Sequence, residues 1–142
     1  MTRGEEIVAV ARRWIGTPYR HQASLIGVGC DCLGLVRGVW REIIGDEPQA
    51  PPPYTPDWAE ARADDDLLSA AFRWFEPVAA GEASAGDLIV FRWRDGFPAK
   101  HLGIATSPSR MIHAHDGACV CEVAIGAAWR RRIAGLFAFP DA

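Results

Sequence analysis

Apolar positions recur at helical spacing through the first half of the chain and alternate through the second. Ile7, Val8, Ala11, Trp14 and Ile15 fall three and four apart, the mark of a helix with one buried face. Thr2 and Glu5 stand before them at the spacing of a capping box, and Gly16 and Pro18 supply the stop. A glycine-rich, mostly uncharged stretch over residues 17–29 reads as a loop. A second apolar face follows in Leu35, Val36, Val39, Trp40, Ile43 and Ile44, with Asp31 placed to cap the helix and Gly45 to end it. Gly34 and Gly38 lie inside this helix, where each costs about 1 kcal/mol against Ala, so the pair predicts close contact with another element. Residues 46–56 hold five of the ten prolines and read as a loop. Asp57 and Glu60 open a predicted third helix running to Trp74, with Leu67, Leu68, Ala71 and Phe72 turned inward.

Beyond residue 86 the pattern becomes that of strands, over residues 87–94, 101–106, 111–115, 118–125 and 133–139. Asp95-Gly96, Ser107-Pro108-Ser109 and Asp116-Gly117 mark turns between them. Helices first and strands afterwards predict an α+β fold, N-terminal helices packed on an antiparallel sheet of about five strands. A length of 142 residues suits one domain over residues 1–142.

Composition narrows the function classes. With 49% hydrophobic and 23% charged residues the chain reads as globular. A net charge of −3, with Arg130-Arg131-Arg132 as the lone basic run, argues against nucleic acid as a partner. That run is expected at a solvated strand entry or loop. No apolar run reaches membrane-span length, so no membrane insertion is expected. The N-terminus shows no basic stretch followed by an apolar core. Synthesis in the cytoplasm with four reduced thiols is therefore expected, and work outside the cell would need another carrier. Six tryptophans are many for this length; most are expected in the core, with some left to line a groove.

Cys32 stands where the glycine loop meets the second helix. Unpaired N–H groups and the helix dipole favour an anion there, which lowers a thiol pKa and can hold an oxyanion. The plain alternative is a small buried cysteine. His101 opens a strand whose alternation sets Leu102 and Ile104 on the core face and His101 with Gly103 on the other. Met111, His113 and His115 share a face of the next strand. A hairpin looped at Thr106-Ser107-Pro108 would set His113 opposite His101, and a register shift would make His115 a diagonal neighbour. Either arrangement gives His101 a second imidazole to fix its tautomer, unless these are ordinary packed or exposed histidines. A competing constellation is Cys30-x-Cys32 with Cys119-x-Cys121, which can be a four-thiolate metal site, a redox pair or plain structural cysteines. Alternation puts Cys119, Cys121 and Val123 on one strand face, as a buried face would. His21 and His115 are further candidates for contact with a ligand.

Five segments, in order, resemble the motif series of the NlpC/P60 cysteine peptidases: Gly16-Thr17-Pro18-Tyr19, Asp31-Cys32-Leu33-Gly34-Leu35, Ala85-Gly86-Asp87-Leu88-Ile89-Val90-Phe91, His101-Leu102-Gly103-Ile104 and Met111-Ile112-His113-Ala114. Residues 19–37 and the proline-rich loop look closest to the phage and gene-transfer-agent branch, encoded among tail genes. The resemblance implies a papain-like fold, Cys32 as nucleophile, His101 as base and His113 as the third polar residue. It implies that Tyr19 helps hold substrate or oxyanion and that Asp31 helps bind a free amine of the stem peptide. It implies as substrate a peptidoglycan stem peptide, cut between D-γ-glutamate and a diamino acid, with tail proteins as partners, no cofactor and no metal. Leu33 replaces the family's usual Ser, and Arg20-His21 its usual glycine pair, both where substrate would bind. A tail docking module that kept the fold, and an amidase or acyltransferase using the same residues, are the alternative functions.

Overall fold

The computed structural model describes residues 1–48, 66–79 and 81–141. Most of the proline-rich loop and the beginning of the expected third helix lie outside them.

Helix α1 (Arg3–Arg12) starts at Thr2, whose hydroxyl accepts the Glu5 N–H. It buries Ile7, Val8, Val10 and Ala11. Helix α2 (Cys32–Ile43) starts at Asp31 and buries Leu35, Val36, Val39 and Trp40. Its two glycines do what the pattern predicts. A Cβ at Gly38 would run into the Trp14 ring, and one at Gly34 into the Ala23 carbonyl oxygen. The approach of α2 to the turn after α1 and to the loop before β1 is therefore closer than a side chain permits. Helix α3 (Asp66–Trp74) is the described part of the third expected helix. Leu67 and Ala71 point inward, but Phe72 is 59% exposed and only leans edge-on against Phe137. Phe72 had been expected inside; the buried stripe of α3 is narrower than its apolar pattern.

Strands β3 (Glu76–Pro77), β4 (Leu88–Arg92), β5 (Ala99–Ser107), β6 (Arg110–Ala114), β7 (Val120–Ala124) and β8 (Ile133–Ala138) form one sheet, in the order β3-β8-β4-β5-β6-β7. Every pairing is antiparallel. A separate two-stranded ribbon, β1 (Ser24–Leu25) with β2 (Gly29–Cys30), precedes α2. This is the α+β architecture read from the sequence, with one more strand in the main sheet. The addition is β3, a two-residue strand that pairs with the end of β8.

One face of the sheet carries Leu88, Val90, Leu102, Ile104, Ile112 and Ala114 against α1 and α2. The other carries Ile89, Phe91, Ala105, Met111 and Leu136, covered by Ala83, Ile125, Ile133 and Trp129. Central β4 is thus covered on both sides, which is why Leu88-Ile89-Val90-Phe91 is apolar without alternation. Trp129 belongs to a single helical turn, α4 (Ala127–Arg130), between β7 and β8. The arginine run sits at the end of that turn and does more than face solvent. Arg130 Nε donates to the Ile125 carbonyl at 3.1 Å and Arg132 Nε to the Trp93 carbonyl at 3.0 Å.

The β5–β6 hairpin differs from the expected one. Ile104 pairs with Ile112, Ala105 with Met111 and, after a bulge, Ser107 with Arg110. The turn is therefore Pro108-Ser109. Continuing the count sets Gly103, not His101, across from His113. The two histidines are diagonal neighbours, and a side chain at Gly103 between them would run into the Met111 sulfur.

Candidate active site

The nucleophile candidate is held by backbone. Asp31 is 2% exposed. Its Oδ1 accepts the Gly34 N–H at 2.7 Å, capping α2, and its Oδ2 accepts the Gln22 N–H at 2.7 Å. Gln22 adopts a φ of 65°, so the carboxylate pins a turn that a non-glycine residue rarely makes. His21 lies 3.9 Å from the same oxygen. Cys32 follows as the first residue of α2 and is half-buried. The N–H groups of Leu102 and Leu33 both donate to its sulfur. The β5–β6 pairing stops at Ile104, short of Leu102, so this part of β5 meets the nucleophile helix.

Burial, followed by the Asp31 charge, pushes the Cys32 thiol up to about 12, against the pull of those two N–H groups. The sequence alone suggested a lowered value at a helix N-terminus. Desolvation and the capping carboxylate outweigh the dipole here.

Tyr19 reaches the same place by a stitched segment. Gly16 N–H donates to the Val120 carbonyl at 2.8 Å, Tyr19 N–H to Ala118 at 3.1 Å and Arg20 N–H to Cys30 at 3.0 Å. The segment thus fills the gap between β7 and β2. Burial raises the Tyr19 phenol, with Cys32 and then Asp31 adding to the effect. The hydroxyl therefore stays protonated and can donate.

The histidines are held by side chains. His101 and His113 are 5% and 3% exposed, and His101 Nε2 lies 2.8 Å from His113 Nδ1. Burial drives the His101 pKa well below 6.5, with His113 and His115 adding to it. Burial, with His115, lowers His113 to about 4. Both rings are neutral at pH 7, so one of the two facing nitrogens carries a proton and the other accepts it. If His101 is to act as a base, its proton sits on Nε2, His113 Nδ1 accepts, and Nδ1 of His101 is left free.

The structure brings Cys32, Tyr19 and Asp31 together at the start of α2, and His101 with His113 on adjoining strands. It adds two residues that motif reading did not single out. The Trp93 ring lies 5.6 Å from the His101 ring at 21° between planes, and Trp129 lies 5.4 Å away at 27°. The tryptophan count and the expectation of a groove were the only signals for them. His115 joins the group, 5.8 Å from His101. Cys119 is exposed and Cys121 half-buried, and all four cysteines are free thiols. Among the described residues no group of three or more His, Cys, Asp or Glu converges as metal ligands would.

Residues 16–137 match the NlpC/P60 family. This chain belongs to the NlpC/P60 cysteine peptidase family. Among solved structures it is similar to the NlpC/P60 domain of the peptidoglycan hydrolase SagA, with 25% identity, a TM-score of 0.67, and 96% of this chain and 98% of that one covered. An NLP/P60 protein described as similar to lipoprotein, from Staphylococcus aureus, matches at 20% identity and a TM-score of 0.65, over 99% of this chain and 42% of that one. A Bacillus cereus NlpC/P60 protein matches at 18% and 0.67, over 94% and 39%. The last two show the shared fold alone. A search of curated proteins gives no match. Among the described residues no helix is long and apolar enough to cross a membrane.

Proposed function

We propose that this NlpC/P60 chain is an endopeptidase of bacterial peptidoglycan stem peptides, with Cys32 as nucleophile, His101 as base and His113 as the residue that orients the base. The observation that carries the reading is the buried imidazole pair, His101 Nε2 to His113 Nδ1 at 2.8 Å, on the strand whose Leu102 N–H bonds the Cys32 sulfur. As the sulfur attacks the amide carbon, His101 Nδ1 takes the thiol proton. The oxyanion finds N–H groups at the α2 terminus and the Tyr19 hydroxyl as donors. Imidazolium then passes its proton to the leaving amine, leaving a thioester. Water, losing a proton to His101, releases the acid and restores the thiol.

Peptidoglycan as substrate is supported by the family and by the likeness to the SagA domain. The bond between D-γ-glutamate and a diamino acid, and delivery in a phage-like or gene-transfer-agent tail, rest on the motif resemblance. Asp31 we assign to positioning rather than to a substrate amine, because it is buried and both its oxygens hold backbone N–H groups.

Digestion of purified peptidoglycan by wild type and by Cys32→Ala tests the reading. Stem-peptide fragments should appear with the first and not the second. Equal release by both overturns it. Tail delivery fails if the protein is missing, by mass spectrometry, from purified particles of its source.

A further inference from the structure

His101 pairs with Phe91 of β4 on one side, while on the other the β5–β6 ladder ends three residues on, at Ile104, and the N-terminal helices cover the opposite face of the sheet. Its ring is nonetheless buried. Two indoles lie over it, beside Phe91 and the other two histidines. Trp93 follows β4, Trp129 sits in α4, and each is itself only half-buried. Their rings lie nearly parallel to the imidazole, at 21° and 27°, and 5.6 Å from one another at 46°. Arg132 ties the two carriers together, with Nε donating to the Trp93 carbonyl at 3.0 Å and Nη1 to the Ala128 carbonyl at 3.1 Å. Trp129 also meets Phe91 and His113 edge-on, so the two indoles wall in the histidine group, with His101 the ring that both lie nearly parallel to.

We propose that Trp93 and Trp129 are positioning residues that hold and shield the His101 imidazole, with Arg132 clasping the two segments that carry them. The proposal rests on the reading of His101 as the base. Two physical consequences act in opposite directions on the two protonation states. Excluding water favours the neutral ring at rest. The indole faces then attract the imidazolium that forms only while the thiol proton is in transit. The charged and titratable groups around the ring are His113 and His115 from β6 and its end. Cys32 lies beyond, at neighbouring Leu102. Phe91 of β4 and the two indoles carry no charge. The resting state is set by shielding and by the histidines alone.

The test is an NMR titration of the histidine rings in wild type, Trp93→Leu, Trp129→Leu and the two Phe variants, with kcat and KM on muropeptides beside it. His101 is assigned by comparison with His101→Gln. Each Leu variant should raise the His101 midpoint by about one pH unit and lower kcat while leaving KM close to wild type. Phe should restore most of both. Arg132→Gln should move the midpoint the same way by less. An unchanged His101 midpoint in folded Leu variants overturns the proposal. If a Leu variant loses its dispersed spectrum, Arg132→Gln decides, and an unchanged His101 midpoint in that variant also overturns the proposal. A midpoint that moves in a protein that hydrolyses no muropeptide removes the base reading, and with it the positioning role, while leaving the shielding.

Discussion

Cys32 and His101 stand on adjoining elements, yet the chain holds them by different means. Around Cys32 the support is mainly to backbone and largely close in sequence: Asp31 caps Gly34 and Gln22, glycines admit the neighbouring segments, and Leu102 alone reaches the sulfur from β5. Around His101 the support is a set of rings from β4 and the segment after it, from β6 and from α4, far apart in the chain. A nucleophile needs its atom fixed against donors, and backbone fixes an atom well. A base needs a plane, a tautomer and a dry surrounding, and aromatic side chains supply these.

The two halves should therefore break differently. Removing either reacting group gives the largest effect: Cys32→Ala and His101→Ala are each expected to lower the hydrolysis rate by about 10⁴-fold with the far-ultraviolet spectrum unchanged. Next comes the orienter. His113→Ala should cost about 100-fold in kcat, while His113→Asn, whose amide oxygen can still accept from His101 Nε2, should cost much less. A larger loss in Asn than in Ala would contradict the assigned tautomer.

The stability effects are smaller and separate the halves more finely. Asp31→Ala should cost about 2 kcal/mol in urea unfolding, from the lost cap and the unpaired Gln22 N–H. Gly38→Ala should cost about 2 kcal/mol through its collision with Trp14, leaving His101 undisturbed. On the histidine side the signature is pH. His113 has a folded pKa of about 4 against 6.5, so the unfolded chain takes up protons first as pH falls. Stability present above pH 6.5 should decline by on the order of 2 kcal/mol between there and pH 4. His113→Asn should make that slope shallower, leaving the part that the buried His101 carries. A slope equal to wild type would mean that other groups carry it.

What could be read in the sequence follows the same divide. The cap at Asp31, the two glycines, the apolar stripe of α2 and the alternating strands are local patterns, and the motif series lies along them. The two-residue strands β1, β2 and β3 have no alternation to display; β1 and β2 close a short hairpin with one another, and β3 exists through its pairing with the distant β8. The bulge at Thr106 shifted the hairpin register, since a single extra residue leaves no mark in the apolar pattern. Trp93 and Trp129 carry the same difficulty further, because nothing near either in the chain names His101 as its neighbour. The Cys32 thiol was misread for a related reason: a helix terminus is visible in sequence, whereas the depth at which it is buried is not.

The central claim is that Cys32, served by His101, forms the bond to the substrate. Incubating the protein with a stem-peptide substrate, quenching in acid within the first turnover and measuring the mass of the peptide that holds Cys32 tests this most directly. The account predicts a mass increase equal to the acyl part of the substrate, on Cys32, lost on standing at neutral pH and absent in His101→Ala. Continued hydrolysis with the adduct on another residue, or with none formed under conditions that trap thioesters, would contradict it.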